Sequence, residues 1–171
     1  MKFFKQTEEN TCNIIAIQHV LSFFGKYPSF EEIKKGLPKH AFGDFLQEIG
    51  VYFDKMGIRT ALISNRDYSK GKSFTKTLNE YRRREDFEDR LPAEKDIKDK
   101  PVIVNVDASK IRGERGDPGP HYVVLLREGG EIYLYDGANF DRKIKTSFEE
   151  ILKASVDINK SDEDGMWLFL K

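Results

Sequence analysis

The chain of 171 residues lacks the features that would tie it to secretion or to nucleic-acid binding. It has one cysteine, Cys12, so no intramolecular disulfide can form, which favours a reducing compartment such as the cytoplasm. Lys and Arg number 29, as do Asp and Glu, so the net charge is zero. Without a basic excess, neither nucleic acid nor an anionic membrane is expected as the main partner.

Other absences narrow the possible chemistry. No apolar run approaches the ~20 residues that a membrane span needs, and the first ten residues become charged too early for a signal-peptide core. No close group of His, Cys and Asp has zinc-ligand spacing, and the glycines form no phosphate-binding or dinucleotide-binding loop. We therefore expect a cytoplasmic protein without a membrane segment, a metal or a cofactor.

What is present suits one folded domain over residues 1–171, because 39% of the residues are hydrophobic and 12% are aromatic. Residues 67–100 are dense in charge and interrupt this pattern as an insertion. Within them Phe74, Leu78 and Tyr81 keep helical spacing. This spacing is typical of a solvated surface helix, and the alternative is a lid or a partner-docking segment.

The order of predicted elements indicates an α+β fold. A helix that is apolar almost all round begins at Cys12 and ends near Phe24, and Ser29 with Glu32 resembles a capping box for a second helix. The third helix runs from about Asp44 to Met56. Later segments carry strand patterns, with one helix before the last strand: Ile58 to Ile63, Val102 to Val106, Tyr122 to Arg127, Glu131 to Tyr135, a helix near Phe148 to Lys153, and Met166 to Leu170.

Cys12 is a candidate nucleophile because it begins a helix. The free N–H groups and the dipole of a helix start favour the thiolate, which is the reactive form. A lone cysteine is often only a small buried hydrophobic residue. Here Asn10 and Thr11 are polar neighbours suited to a turn or cap, and Gln6 is close enough in sequence to fold back over the thiol.

A predicted hairpin supplies a histidine and a carboxylate. If Gly129 and Gly130 are the two central residues of the turn, His121 and Asp136 emerge on the same face as diagonal neighbours, ~7–8 Å apart at the backbone. That distance allows an imidazole–carboxylate hydrogen bond. A three-residue turn would put them on opposite faces. We expect Asp136, rather than Asp117 in the preceding Gly/Pro-rich loop, to orient the histidine.

The other two histidines are weaker candidates. His19 is seven residues beyond Cys12 on the same helix face, which is ~10.5 Å along the helix axis and too far to accept the thiol proton. We expect it to be a packed histidine. His40 lies in a connector rich in Pro and Lys and is expected at the surface.

Four segments together resemble the peptidase C39 and C39-like cysteine peptidases. They are Gln6-x5-Cys12 ahead of a buried helix, and residues 100–104, 119–125 and 132–136. The resemblance runs from Gln6 to about Gly137, and residues 67–100 are its least similar part. It implies a papain-like fold, in which an N-terminal helical half carrying Cys12 packs on a C-terminal antiparallel sheet.

The resemblance also implies roles for four residues. Cys12 is then the nucleophile, His121 the base, Asp136 its orienting carboxylate and Gln6 an oxyanion-hole donor. The implied function is a thiol-dependent hydrolase that cleaves a peptide or amide bond through an acyl-enzyme on Cys12. The alternatives are an acyltransferase using the same triad, and a non-catalytic binding or regulatory module of the same fold. The expected partner is a peptide or a small amide or acyl substrate.

The chain departs from the family pattern at two positions. Asn13 stands where glycine commonly follows the cysteine, and Gly137 stands where proline commonly follows the aspartate. We expect Asn13 to narrow the space beside the nucleophile and Gly137 to loosen the loop that holds Asp136.

Overall fold

The computed structural model describes residues 1–37, 46–64, 74–112, 119–138, 140–158 and 167–171, with the backbone alone at 74–78, 112 and 156–158. The helices are α1 (Cys12–Phe23), α2 (Phe30–Gly36), α3 (Leu46–Lys55), α4 (Phe74–Arg83), α5 (Ala108–Arg112) and α6 (Phe148–Ile158), and a 3-10 turn lies at Glu94–Asp96. The strands are β1 (Thr60–Ser64), β2 (Phe87–Asp89), β3 (Val102–Asp107), β4 (Pro120–Glu128), β5 (Glu131–Tyr135), β6 (Ile144–Thr146) and β7 (Trp167–Leu170).

The seven strands form one sheet in the order β2-β1-β7-β3-β4-β5-β6. Strands β1 and β2 pair in parallel. All other neighbouring strands in this order pair antiparallel. The α+β class is as predicted, and the sheet is antiparallel except at its β2 edge. Strands β3 and β7 lie in its middle, and their near-continuous apolar sequences follow from burial on both faces.

One face of the sheet packs against the helices of the first third of the chain. Ile17, Val20 and Leu21 of α1 are fully buried there. They share a core cluster with Ile49 and Phe53 of α3 and with residues of β1, β3, β4 and β7. This contact places the start of α1 beside β4, and it agrees with the predicted packing of a helical half on the sheet.

The other face has a core of its own, which the sequence analysis did not predict. Trp167 is fully buried there, packs on Phe148 of α6 and donates a hydrogen bond from Nε1 to Ser155 Oγ at 3.2 Å. Apolar residues of β3, β4 and β5 complete the cluster. Helices therefore cover the sheet on both sides.

The charged region contributes an edge strand as well as the predicted helix. Tyr81 of α4 is buried while Arg82 and Arg83 are exposed, as expected of a surface helix. Strand β2 was not predicted. It is joined to the fold by Asp86, which is 1% exposed and ion-paired with Arg59 at 3.1 Å and with Lys171 at 2.5 Å.

The predicted C-terminal ends of α1 and α3 lie within one residue of the observed ends, whereas α6 runs to Ile158, five residues beyond the predicted Lys153. The capping box at Ser29 is present, with the Ser29 side chain accepting from the Glu32 N–H. Asp44 and Met166, the predicted limits of two elements, lie outside the described residues. The longest described helix is α1, with 12 residues, and none in the described ranges is long and apolar enough to cross a membrane.

At Gly50 the backbone of α3 lies directly against the side chains of Tyr81 and Thr60. A Cβ added at Gly50 would overlap the Tyr81 hydroxyl and lie 3.0 Å from Thr60 Oγ1. Those two oxygens are 2.6 Å apart in a buried hydrogen bond, so neither is free to move away. Glycine at this position lets the helix approach a satisfied polar pair.

We therefore expect Gly50→Ala to destabilise the protein. Helix propensity alone would favour alanine by roughly 0.5–1 kcal/mol, but overpacking costs about 1–3 kcal/mol. Thermal or urea unfolding should show a net loss, whereas Lys55→Ala, an exposed position on α3, should change little. Adding Tyr81→Phe removes the overlapping hydroxyl, so the double variant should lose less than the sum. A Gly50→Ala protein as stable as wild type would contradict this packing.

Candidate active site

The β4–β5 hairpin has the register that the sequence analysis predicted. Glu128 pairs with Glu131 across Gly129 and Gly130, and the pairing continues to Val124 with Tyr135. The two glycines have φ of 58° and 88°, values that a two-residue turn of this kind requires and that other residues rarely adopt. The turn therefore sends His121 and Asp136 out on one face of the sheet.

His121 and Asp136 form a buried hydrogen-bonded pair. His121 Nε2 lies 2.8 Å from Asp136 Oδ1, and the two residues are 6% and 1% exposed. Asp136 Oδ1 also accepts from the Ala138 N–H at 3.0 Å, which holds the carboxylate against its own loop. The predicted contact between the two side chains is present.

The Cys12 side chain lies close enough to the His121 ring to influence it by hydrogen bonding and by charge, and both effects raise the pKa of the ring. Nε2 faces Asp136, so Nδ1 is the nitrogen left for a contact with the sulfur. Burial is the strongest influence on the ring and favours its neutral form. The hydrogen bonds with Asp136 and Cys12, together with the charges of both groups, oppose burial and raise the pKa of His121 to about 9.

Cys12 is half-buried at the first residue of α1. The Thr11 side chain does not cap this helix, because its hydroxyl donates to the Glu8 carbonyl at 2.7 Å. Asn13 is 4% exposed, and its Oδ1 accepts from the Ile14 N–H at 2.8 Å. The side chain of Asn13 is thus buried against the helix start.

Gln6 lies on the N-terminal arm, which we define as residues 2–6. Its backbone N–H donates to the Gly137 carbonyl at 2.8 Å, and its side-chain Nε2 donates to the Glu8 carbonyl at 2.8 Å. The Gln6 Oε1 atom is buried without a hydrogen-bond partner among the described residues. The backbone of Gln6 is therefore fixed next to the residue that follows Asp136.

Gly137 tightens this region, and the expectation that it loosens the loop is wrong. A Cβ at this position would overlap the Phe4 carbonyl oxygen and lie 2.9 Å from Ile15 Cγ2 and 3.2 Å from Gln6 N. Only glycine lets the N-terminal arm lie directly on the loop after Asp136.

His19 is a packed histidine, as predicted. It is 1% exposed, and Nε2 lies 2.8 Å from the Phe4 amide nitrogen and 3.1 Å from the Phe4 carbonyl oxygen. Burial lowers the pKa of His19 to about 4, outweighing the Phe4 carbonyl, which favours a protonated Nε2, and the charge of Asp136. Its role in holding the N-terminal arm was not visible in the sequence, because nothing in the arm's composition indicates which residue it contacts. His40 lies outside the described residues.

Other features of the described residues indicate no second reactive site. They contain no cluster of three His, Cys, Asp or Glu side chains that could hold a metal ion. A cavity of about 340 Å³ lies on the opposite side of the sheet, with a floor of Ala61, Ile63, Val102 and Phe169. It contacts none of the four candidate residues.

Two solved structures share the fold over nearly the whole chain. One is a double-glycine-motif protease from an AMS/PCAT transporter in complex with the leader peptide, with TM-score 0.58, 16% identity, and coverage of 99% of this chain and 90% of that one. The other is the peptidase domain of Streptococcus ComA, a bifunctional ABC transporter involved in a quorum-sensing pathway. Its TM-score is 0.56 at 19% identity, covering 99% of this chain and 96% of that one.

No protein-family model matches the sequence, and neither does any curated protein sequence. The structural matches confirm the predicted fold, which is that of the papain-like C39 peptidase domains.

The two buried histidines should titrate far apart. In an NMR pH titration His121 should lose its proton near pH 9 and His19 should gain one only near pH 4, so at pH 7 the first is charged and the second neutral. Asp136→Asn removes the carboxylate charge, so the pKa of His121 should fall. The chain has three histidines, and the signal that is missing from the spectrum of His40→Gln belongs to His40. Midpoints near the ordinary 6.5 for both rings would contradict the geometry described above.

Proposed function

We propose that this protein is a thiol-dependent hydrolase that cleaves a peptide or amide bond through an acyl-enzyme on Cys12. The observation that carries the proposal is the buried hydrogen bond between His121 and Asp136, and the influence of Cys12 on the pKa of the same ring supports it. A nucleophile, a base and a group that orients the base are the minimum set for this chemistry.

The reaction begins with acylation of the thiol. In the proposed reacting pair the proton of Cys12 is carried by His121, and the sulfur attacks the carbonyl carbon of the scissile bond while the carbonyl electrons move onto oxygen. The resulting oxyanion is stabilised by the Cys12 backbone N–H at the helix start and by the Gln6 side-chain amide. When the intermediate collapses, the C–N bond breaks and His121 returns the proton to the leaving amine.

Hydrolysis of the thioester completes the cycle. Water gives a proton to His121 and attacks the acyl carbon, and a second tetrahedral intermediate expels the Cys12 sulfur beside the protonated ring, which restores the starting pair. Asp136 keeps the imidazole oriented and stabilises its charged form throughout. The pKa of about 9 at His121 means that the ring holds a proton for the leaving group at neutral pH.

A peptide is the proposed substrate class. The AMS/PCAT protease that shares this fold was solved with its leader peptide bound, which supports a peptide over a small amide. We place the protein in the cytoplasm, because a lone free thiol suits a reducing compartment. We also propose that residues 1–171 act as one domain, with 67–100 as a charged insertion.

The same residues would serve an acyltransferase, and one experiment separates the two reactions. A library of N-acylated peptides with fluorogenic C-terminal amides reports acylation, and an added amine acceptor then competes with water. Free acid as the product at all acceptor concentrations supports the hydrolase. An amide adduct in place of the acid would assign acyl transfer, and no turnover of any peptide would favour a non-catalytic module.

Replacing the nucleophile should abolish turnover. Cys12→Ala removes the sulfur on which the acyl-enzyme forms, while the half-buried side chain contributes little packing, so the melting temperature should stay close to that of wild type. Iodoacetamide should label folded wild-type protein at Cys12 and block its activity. Peptide cleavage at the wild-type rate by pure Cys12→Ala protein would place the chemistry elsewhere.

Replacing the second oxyanion donor should slow the chemical step. One N–H of the Gln6 amide is engaged by the Glu8 carbonyl, and no described hydrogen bond accounts for the other. Losing such a donor costs ~2.7–4 kcal/mol in the transition state, so Gln6→Ala should lower kcat ~100-fold or more with KM almost unchanged. Thr7→Ala, at the exposed neighbouring position, is the matched control. Normal turnover by Gln6→Ala would remove the oxyanion role.

A further inference from the structure

We propose that His19 and Gly137 are positioning residues that dock the N-terminal arm so that Gln6 is held at the start of α1. The inference rests on the proposed function for Gln6 and adds how this chain places that residue. Neither His19 nor Gly137 contacts the reacting atoms in the mechanism above, and both act through the N-terminal arm.

The N-terminal arm runs antiparallel to α1 along the helix face that carries Cys12. The Lys2 N–H donates to Ser22 Oγ at 2.9 Å near the end of the helix. The Phe4 N–H donates to His19 Nε2 at 2.8 Å, one turn earlier. His19 and Cys12 are seven residues apart, about two helical turns, so they share this face. Each step of two residues along the arm thus moves the chain about one turn closer to Cys12.

His19 contacts the arm in two ways, by aromatic packing of its ring on Phe3 and by a hydrogen bond between Nε2 and the Phe4 N–H. Its ring centroid lies 5.2 Å from that of Phe3 and 5.6 Å from that of Tyr135, the residue before Asp136. In its neutral form the ring accepts the Phe4 N–H at Nε2 beside this aromatic cluster, and the same nitrogen lies 3.1 Å from the Phe4 carbonyl oxygen. An apolar side chain could fill the same space but would leave the Phe4 N–H buried without an acceptor.

Gly137 holds the arm from the other side. Its carbonyl accepts the Gln6 N–H at 2.8 Å, and the absence of a Cβ lets the Phe4 carbonyl lie against it. Gly137 follows Asp136 directly, so one loop sets the position of the orienting carboxylate and of the Gln6 backbone.

The contacts enclose Gln6 from both directions along the chain. Phe4 is fixed two residues before it by His19, and the Glu8 carbonyl two residues after it accepts from both the Gln6 amide and the Thr11 hydroxyl. Loss of the His19 contact should therefore displace Gln6 without disturbing Cys12, His121 or Asp136.

The first test separates positioning from packing by kinetics. His19→Leu should lower kcat roughly 10–100-fold, since a displacement of about 1 Å can have that effect, with KM within about twofold. His19→Gln places an acceptor near the Nε2 position and should recover most of the loss. Ser22→Ala removes the arm contact at Lys2, farther from Gln6, and should behave like wild type. A KM that changes by more than about twofold in His19→Leu, or a His19→Gln variant that recovers no activity, would overturn the proposal.

Two further measurements locate the effect at Gln6. Alkylation of Cys12 by iodoacetamide forms no oxyanion, so its rate should be the same in His19→Leu and wild type. The double variant Gln6→Ala with His19→Leu should turn over no more slowly than Gln6→Ala alone, because both changes remove one interaction. Additive losses, or slowed alkylation, would show that His19 acts on the triad or on the fold.

Hydrogen exchange tests the docking without any substrate. The amide protons of Phe4 and Gln6 should exchange faster in His19→Leu and in Gly137→Ala, while those of β3 and β4 stay protected. Unchanged exchange at Phe4 and Gln6 in both variants would overturn the docking even if the enzyme is active. If wild type cleaves no peptide but the arm amides respond as expected, the docking stands and the hydrolase assignment fails. If His19→Leu does not fold, the exchange rates of the Phe4 and Gln6 amides in Gly137→Ala test the docking instead.

Discussion

The β4–β5 hairpin joins its strands through Gly129 and Gly130, and every contact in the site depends on the register that this turn sets. Side chains alternate along a strand, so a slip of one residue would turn His121 away from Asp136 and toward the opposite core. Most residues of the two strands are buried, and they face cores on both sides of the sheet, so such a slip would exchange the residues that face each core. The positive φ of the two glycines and the two cores therefore fix the same geometry independently.

The second half of the site comes from the start of the chain rather than from the sheet. Helix α1 brings Cys12 to the His121 ring by packing its apolar face on β4. The N-terminal arm then lies between α1 and the loop after Asp136, and it is hydrogen-bonded to both. Residues far apart in sequence thus support one another. The loop that orients the base also anchors the arm, and the helix that carries the nucleophile accepts the arm's backbone.

The parts of the fold that could be predicted are those with a local signal. The buried helix from Cys12, the capping box at Ser29 and the hairpin register each follow from residues adjacent in sequence. Strand β2 has three residues, two of them charged, and no alternating pattern. It pairs with β1 through the backbone, and the buried Asp86 carboxylate just before it has basic partners in distant segments, which no short window of sequence reveals.

Gly137 illustrates the same limit within the site. Read locally, a glycine after the aspartate indicates a loose loop, because glycine adds conformational freedom. In the fold, the space that its missing side chain leaves is filled by the Phe4 backbone and by Ile15. The meaning of the residue is decided by what packs against it. The four candidate residues could be found from spacing and order, whereas the contacts that hold them could not.

The two described histidines show how one carboxylate supports different roles. His19 and His121 are 1% and 6% exposed, and burial alone would keep both rings neutral at pH 7. Asp136 influences both rings through its charge, but only His121 has a hydrogen bond to it, at 2.8 Å, and only that ring also bonds Cys12. At His121 these contacts outweigh burial and the pKa rises to about 9, whereas at His19 burial prevails and the pKa falls to about 4. A neutral ring can accept the Phe4 N–H and a protonated ring can give a proton to a leaving group. Contact with Asp136 and Cys12, rather than depth in the protein, therefore separates the histidine that holds the backbone from the one suited to acid–base chemistry.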